Sequence, residues 1–384
     1  MSNLKKTLLY DRHLSAKGRM GPVFSFQLPW EYPAGREQEY WATRRSVTVS
    51  DVDFMVRLRL CGPEALNCLQ MALTGDLSKL KAGAMKYALL ARDNGRLLDS
   101  VTVVRLAGKE YWLIADSVEV EGHLRAVAGN RELVINDVSE ESFMLSIQGP
   151  KSAEVMRRLL GFDVSFMPPA QVLPFNLDGR RGWVERFGFT GEGGFELMVE
   201  PQEAGWFWDR SLEEGAEPCA YLASEDLRIG AGFVSLDKEN GNPFENRLGR
   251  MVDFGKGDFV GRAALLKTVR DGMEKVLVWF LAEKEEIVSA DGGLLEIGGV
   301  SVGRVSSSGI FWPGKRLLAM AYVKPEYAFE GVACKIRLAN EQEIAGRLFN
   351  KAPRNCPPGN KETNRKFFQT DCPALRLSAE KTPK

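Results

Sequence analysis

The sequence predicts an α+β chain that ends in a small, separate β-barrel or sandwich, and three observations carry that expectation. First, VRLRLCGPEALNCLQMAL alternates like a strand, breaks at Gly62 and Pro63, and continues as an amphipathic helix with proline in its first turn. Second, the same order returns 87 residues later in SFMLSIQGPKSAEVMRRLLG, where Gly149 and Pro150 separate strand from helix, which suggests a duplicated module. Third, the texture changes near Asp271. From about Lys275 to Asn350 short β-runs (VLVWFLA, GLLEI, GRVSSSGIFW, LLAMAYV, CKIRL, EIAGRLF) alternate with turns.

The remaining elements follow in chain order. The segment up to about Thr43 mixes aromatic and turn residues, with a helix expected over Glu37 to Arg45, and reads as packed chain. Between the two strand–helix units lies MKYALLARDNGRLLDSVTVVRL, two β-rich runs joined at Asp93, Asn94 and Gly95, followed by EYWLIAD; together they read as a meander. From Ala223 the chain turns helical through SEDLRIGAGF, passes the loop ENGNPFENRLG and regains order at VDFGKGDFVGRAALLKTV. The polar, proline-punctuated end reads as poorly ordered or draped on the surface.

Composition narrows the classes of function. With 384 residues, 44% hydrophobic and 27% charged, the chain can build two or three domains. Lys plus Arg equals Asp plus Glu at 51 each, so no global field draws it to nucleic acid or an anionic membrane. No apolar run approaches a membrane span and MSNLKKTLLYDRH lacks a signal-peptide core, so a cytoplasmic location is expected. The six cysteines form no C-x-x-C pair and no zinc-ligand spacing with His13 or His123, so no metal site is expected. Chemistry should rest on carboxylates, hydroxyls and positioning.

The stretch WVERFGFTGEGGFELM carries the most information. Gly191, Gly193 and Gly194 permit positive φ and close backbone approach, and Glu196 falls opposite Phe195 and Leu197 on its strand. On spacing alone two readings stand: a hairpin whose Glu196 faces solvent, and a pocket wall with Glu196 inside it.

Five segments in this order, TGDLSKLKAGAMKYALLARDNGRLLD, SIQGPKS, GFTGEGGFEL, DLRIGAG, and NPFE with DFVGRAAL, resemble the folate-dependent family of the glycine-cleavage T-protein and dimethylsulfoniopropionate demethylase. GRVSSSGIFWP followed by LAMAYVKPE resembles the family's C-terminal domain, and the match covers about Glu37 to Phe349. YWA at Tyr40 to Ala42, YWLIADS at Tyr111 to Ser117 and NPFE at Asn242 to Glu245 look closer to the demethylase branch. The resemblance implies a three-domain cloverleaf of the aminomethyltransferase folate-binding type around a central channel for tetrahydrofolate. Residues 1–50 with 140–270 would form a first folate-binding domain, 51–139 a second, 275–350 the C-terminal β-barrel and 351–384 a polar tail.

The resemblance also assigns residues. Glu196 sits where the family keeps the carboxylate that accepts two parallel N–H donors of the pterin ring. Tyr87 and Arg228 match folate contacts, although an arginine beside Asp226 is also what a paired surface charge looks like. Phe189 stands where the T-protein has Tyr and the demethylase has Trp; it can stack on the pterin or face an onium substrate. Trp30 and Tyr40 are further substrate-wall candidates, and Tyr32, Trp41 and Trp183 can extend that wall or simply fill space. The T-protein's functional aspartate falls on Ser100, with Asp99 one position before it. Asp99 reaches the channel only if a bulge or slip re-aims it. The family's asparagine in the next strand is absent too, with Ala115 or Asp116 nearby.

Losing that acid weakens the case for aminomethyl transfer, which must expel an amine, and favours a methyl donor whose leaving group departs neutral. The sequence-based expectation is therefore a tetrahydrofolate-dependent demethylase moving a methyl from a small onium or other methylated substrate to N5, with Ser100 or Asp99 nearest the transferred carbon. Two alternatives stand beside it. One is an aminomethyltransferase of a glycine-cleavage type system; the other is a non-catalytic folate-binding protein, whose iron–sulfur maturation branch carries a cysteine where this chain has Asp258.

Overall fold

Sheet order and side-chain alternation fix where the chemistry can sit. The computed structural model describes residues 4–353, and the expected polar tail lies almost wholly outside these. A six-stranded sheet runs in the order Val172–Leu177, Arg180–Glu185, Gly194–Val199, Phe143–Gln148, Thr48–Asp51, Glu217–Pro218, antiparallel except for the last pair. One face presents Val49, Leu145, Ile147, Phe195 and Leu197 to helices Ser152–Leu160 and Ala204–Glu213, forming a core with Phe207 and Trp208. Because side chains alternate, the other face must carry Ser50, Ser146, Glu196 and Glu185, which stand directly opposite one another across four strands.

The second sheet has five strands in the order Ala84–Ala91, Leu97–Ala107, Glu110–Ala115, Val56–Cys61, Val134–Asp137, and contains the expected meander. Val101, Val103 and Leu113 point to the helices Ala65–Ala72 and Glu119–Ala128. Its opposite face offers Met85, Val104 and Ile114, which pack on Val52, Met144 and Met198 of the first sheet. The two sheets thus meet through a methionine-rich seam, and the polar row lies at its edge.

Both glycines of the Gly-Pro breaks turn the chain in the same way. Gly62 has φ +138° and Gly149 φ +126°, and an added Cβ would sit 2.7 Å from the Glu132 carbonyl oxygen or 2.5 Å from that of Ser46. Only glycine fits either corner. The matching geometry supports the duplicated-module reading.

The C-terminal strands Val276–Ala282, Arg316–Val323, Val300–Phe311, Leu294–Ile297, Ala333–Arg337 and Glu343–Phe349 close into a barrel in that order. Sheet membership supports the division at residues 51, 140 and 275 that we propose as domain boundaries. Helix Tyr221–Ala231 ties the barrel to the rest, ending in Gly232 with a left-handed φ of +86°. Its Asp226 accepts hydrogen bonds from Arg36, from the Ile310 amide at 2.6 Å and from the Trp312 indole at 2.7 Å. Among the described residues no helix is long and apolar enough to cross a membrane.

Candidate functional site

The polar row, the second sheet and helix Tyr221–Ala231 line a cavity. Each wall follows from a simple periodicity. The first sheet contributes Ser50 and Glu196; the second contributes Tyr87, Ser100, Thr102 and Ile114, all on one face because Tyr87 pairs with Thr102 and Thr102 with Ile114. The helix contributes Tyr221, Ser224, Glu225 and Arg228, the i, i+3, i+4, i+7 stripe of a single face. Phe187, Phe189 and Phe233 complete the lining, with Tyr87 ring centroids 6.2 Å from Phe187 and 6.1 Å from Phe233.

Glu196 faces this cavity and not solvent, being 2% exposed. Its one hydrogen bond among the described residues is a long one, 3.5 Å from the Ser146 hydroxyl, and burial pushes its carboxyl up to about 7. A carboxylate has about four acceptor sites, so most of its capacity is open toward the cavity. A flat ligand that offers parallel N–H donors fits that vacancy, which is the requirement the pterin ring of tetrahydrofolate meets.

The glycines beside Glu196 act differently from expectation. Of Gly191, Gly193 and Gly194 only Gly191 takes positive φ, at +83°. Gly194 is required by close approach: a Cβ there would lie 2.2 Å from the Gln148 side-chain oxygen. Gln148 in turn donates to Phe187 O at 3.0 Å and accepts from Thr190 at 3.2 Å, holding the turn that carries Phe187 and Phe189.

Arg228 is a buried residue and its partner is not Asp226. It donates twice to Glu225, at 2.7 and 2.9 Å, and to Phe233 O at 2.6 Å, with Glu239 at 3.5 Å. The pair holds the Glu225 carboxyl down at about 2 despite burial. Phe189 and Tyr87 are half-buried in the lining, and burial raises the Tyr87 phenol above its ordinary range.

Asp99 and Ser100 separate. Ser100 borders the cavity, as its alternation with Thr102 requires. The register irregularity at Leu90 and Ala91 does fall beside Asp99, but it leaves that carboxylate accepting from the amides of Ser100 at 2.7 Å, Asp116 at 3.0 Å and Ser117 at 2.8 Å. Asp99 lines an adjoining depression instead, together with Arg92, Arg96 and Asp237.

Trp30 and Tyr40 border neither space, a correction to the expected substrate wall. Trp30 sits in the small N-terminal sheet, donating to Pro22 O at 3.1 Å under the Arg19 guanidinium. Tyr40 is buried with Ala223, Leu227 and Trp312, on the side of helix Tyr221–Ala231 away from the cavity. Trp183 packs edge-on against Trp112 in the seam. These rings fill space, as large aromatics usually do.

Asp116 entered the sequence reasoning only as a residue near the family's absent asparagine, with no role given to it. It ends the apolar run YWLIA and borders both the cavity and the adjoining depression. Burial raises its carboxyl to about 8, with Asp99 and Asp237 adding to the rise and Arg228 opposing it. Phe187, Phe233 and Glu225 were missed. The signals were a second phenylalanine two positions before Phe189 and a glutamate three positions before Arg228.

The family model for the GCVT N-terminal domain matches residues 9–256. An aminomethyltransferase from Thermus thermophilus is 33% identical over 327 residues, covering 84% of this chain and 92% of that protein. One from Streptomyces coelicolor is 31% identical over 368 residues, covering 91% and 98%. The crystal structure of glycine cleavage system aminomethyltransferase T from Bartonella henselae superposes with a TM-score of 0.84 at 24% identity, covering 91% of this chain and 97% of that one, so the fold is shared along its length. The chain belongs to the GCVT family, the family of the aminomethyltransferase T-proteins.

Proposed function

We propose that this protein moves a one-carbon unit from a nitrogen-bearing donor of the aminomethyl type onto tetrahydrofolate. As a GCVT-family member it is a one-carbon transferase that uses tetrahydrofolate. The observation that carries the finer reading is Glu196, a buried carboxyl with a single long hydrogen bond, facing a cavity walled by aromatic rings.

In this reading Glu196 takes the N–H donors of the pterin edge, while Phe187, Phe189 and Tyr87 cover its faces and exclude water. Arg228, fixed by Glu225 and the Phe233 carbonyl, keeps a positive charge on the same side without needing to move. Bound tetrahydrofolate supplies a nucleophilic nitrogen that accepts the carbon. Ser100, beside Tyr87, holds the donor's polar end near that nitrogen. The absence of an acid at position 100 argued against aminomethyl transfer. Asp116, bordering the same cavity, is an acid that supports the aminomethyl reading.

A second reading rests on a specific observation too. Tyr87, Phe187, Phe189 and Phe233 line the cavity with aromatic rings, an environment that attracts an onium cation and suits methyl transfer of the demethylase kind. Incubating the protein and tetrahydrofolate with aminomethyl, N-methyl, sulfonium and quaternary ammonium donors separates the two by product mass. We expect 5,10-methylenetetrahydrofolate; 5-methyltetrahydrofolate from a sulfonium alone would establish the second reading, and no folate product from any donor would contradict both.

One pH dependence follows directly. The N–H donors of the pterin need Glu196 ionised, and in the free protein its carboxyl is pushed up to about 7. Tetrahydrofolate affinity should therefore rise as pH increases through that value and level off above it. Affinity that falls over the same interval in calorimetric titrations would contradict the assignment.

A further inference from the structure

Asp116 stands out among the acids of this centre because its carboxylate accepts no hydrogen bond from any described residue. Asp99 is satisfied by three backbone amides, Glu225 by Arg228 and Lys238, Asp237 by the Ser235 hydroxyl at 2.5 Å, and Asp51 by Thr7 and His13. Of the acids that line the cavity or the adjoining depression, Asp116 alone has no hydrogen-bond partner for its carboxylate among the described residues. It is also the one acid that borders both the aromatic cavity and the open depression next to it.

We infer that Asp116 is the catalytic acid of this enzyme, donating a proton to the departing nitrogen of the one-carbon donor and recovering one from the accepting nitrogen. The inference rests on the aminomethyl reading above. The balance is simple. The donor's C–N bond breaks with its electron pair on nitrogen, that nitrogen takes the Asp116 proton and leaves as a neutral amine. The carbon bonds to the first folate nitrogen, whose own N–H proton restores the acid. With a thioether donor the C–S bond then breaks with its electron pair on sulfur as the second folate nitrogen bonds to the carbon. That nitrogen's proton leaves on the thiol, giving 5,10-methylenetetrahydrofolate.

The surroundings suit this cycle. Asp99 from strand Leu97–Ala107 and Asp237 from the loop after helix Tyr221–Ala231 bring negative charge. Glu225 adds more from that helix, and Arg228 on the same helix is the opposing positive charge. Tyr87 from strand Ala84–Ala91 stands on the cavity side and is itself influenced by Asp116. Burial first, then three negative neighbours against one cation that is already paired, keep a proton on Asp116 in neutral solution. Asp99 is then a positioning residue: it grips the Asp116 and Ser117 amides and so fixes where the acid points.

The test uses the full chain and the variants Asp116→Asn and Asp99→Asn. Infrared difference spectra of the ligand-free protein should show a protonated-carboxyl band at neutral pH that Asp116→Asn removes and that titrates at lower pH in Asp99→Asn. With tetrahydrofolate and an aminomethyl thioether, Asp116→Asn should turn over about 10²- to 10⁴-fold more slowly. Its loss with a trimethylsulfonium donor, whose leaving group needs no proton, should be far smaller. Calorimetry with tetrahydrofolate checks that the cavity still forms. Equal losses on both donors, unimpaired aminomethyl turnover, or a band untouched by Asp116→Asn would overturn the inference. A parent protein that binds no tetrahydrofolate would instead remove the functional reading on which it rests.

Discussion

Two carboxyls stand side by side on the polar row of the first sheet, Glu196 and its cross-strand neighbour Glu185. Glu185 is buried, neither of its oxygens has a hydrogen-bond partner among the described residues, and burial together with the Glu196 charge raises it well above the ordinary carboxylate range. The unfolded chain ionises this group near 4.5, so over the interval above that value the folded state holds the extra proton and stability falls as pH rises. Glu185→Gln removes the titration. Urea unfolding should find the variant close to the parent at about pH 4 and more stable by on the order of 1 to 3 kcal/mol at about pH 8. Identical differences at both pH values would contradict this account of Glu185. Residue by residue, the segments that resemble the family singled out Glu196, Tyr87 and Arg228, and all three line the cavity. Asp116 was not legible, because what matters is its lack of a partner, and partners are a property of the folded neighbourhood.

At the scale of elements, helix Tyr221–Ala231 does two jobs with two faces. Glu225 and Arg228 serve the cavity; Asp226, one residue on from Glu225, gathers Arg36, the Ile310 amide and the Trp312 indole and so joins helix Arg36–Arg45 to the barrel. Replacing Asp226 with Ala leaves the partly exposed Arg36 charge and two buried N–H donors without their acceptor. We expect a loss of about 3–5 kcal/mol in denaturant unfolding; a loss below about 1 kcal/mol would mean that the clamp is not what holds the barrel. The alternative reading of Arg228, a surface charge paired with its sequence neighbour Asp226, fails for a physical reason. Residues two apart on a helix point to different sides, whereas Glu225, three before Arg228, shares its face. Strands and corners were easier to read. Alternation placed Phe195 and Leu197 in the core and Glu196 opposite them, and the Gly-Pro breaks marked strand ends at Cys61 and Gln148. Gly149→Ala should be among the most damaging single-methyl changes in the chain, since the added carbon meets the Ser46 carbonyl at 2.5 Å in a backbone conformation that L-residues avoid. A thermal midpoint within about a degree of the parent would contradict that.

For the whole molecule, the consequence of the architecture is a shared centre. Neither sheet owns the cavity: the first supplies a carboxylate, the second a tyrosine and an acid, and the helix that anchors the barrel supplies an arginine. The α+β class, the meander and the C-terminal barrel were readable because each rests on local periodicity and turn chemistry. The misplaced substrate wall of Trp30 and Tyr40 shows the limit, since which ring faces the centre depends on how the small N-terminal sheet and helix Arg36–Arg45 dock, and spacing does not encode docking. The central claim is that a tetrahydrofolate sits in this centre with its pterin edge on Glu196. Calorimetric titration of tetrahydrofolate into the parent and Glu196→Ala tests it most directly. The account predicts saturable binding to the parent and affinity weakened on the order of 100-fold in the variant, the worth of the lost charge-assisted hydrogen bonds; equal affinity of the two proteins would contradict it.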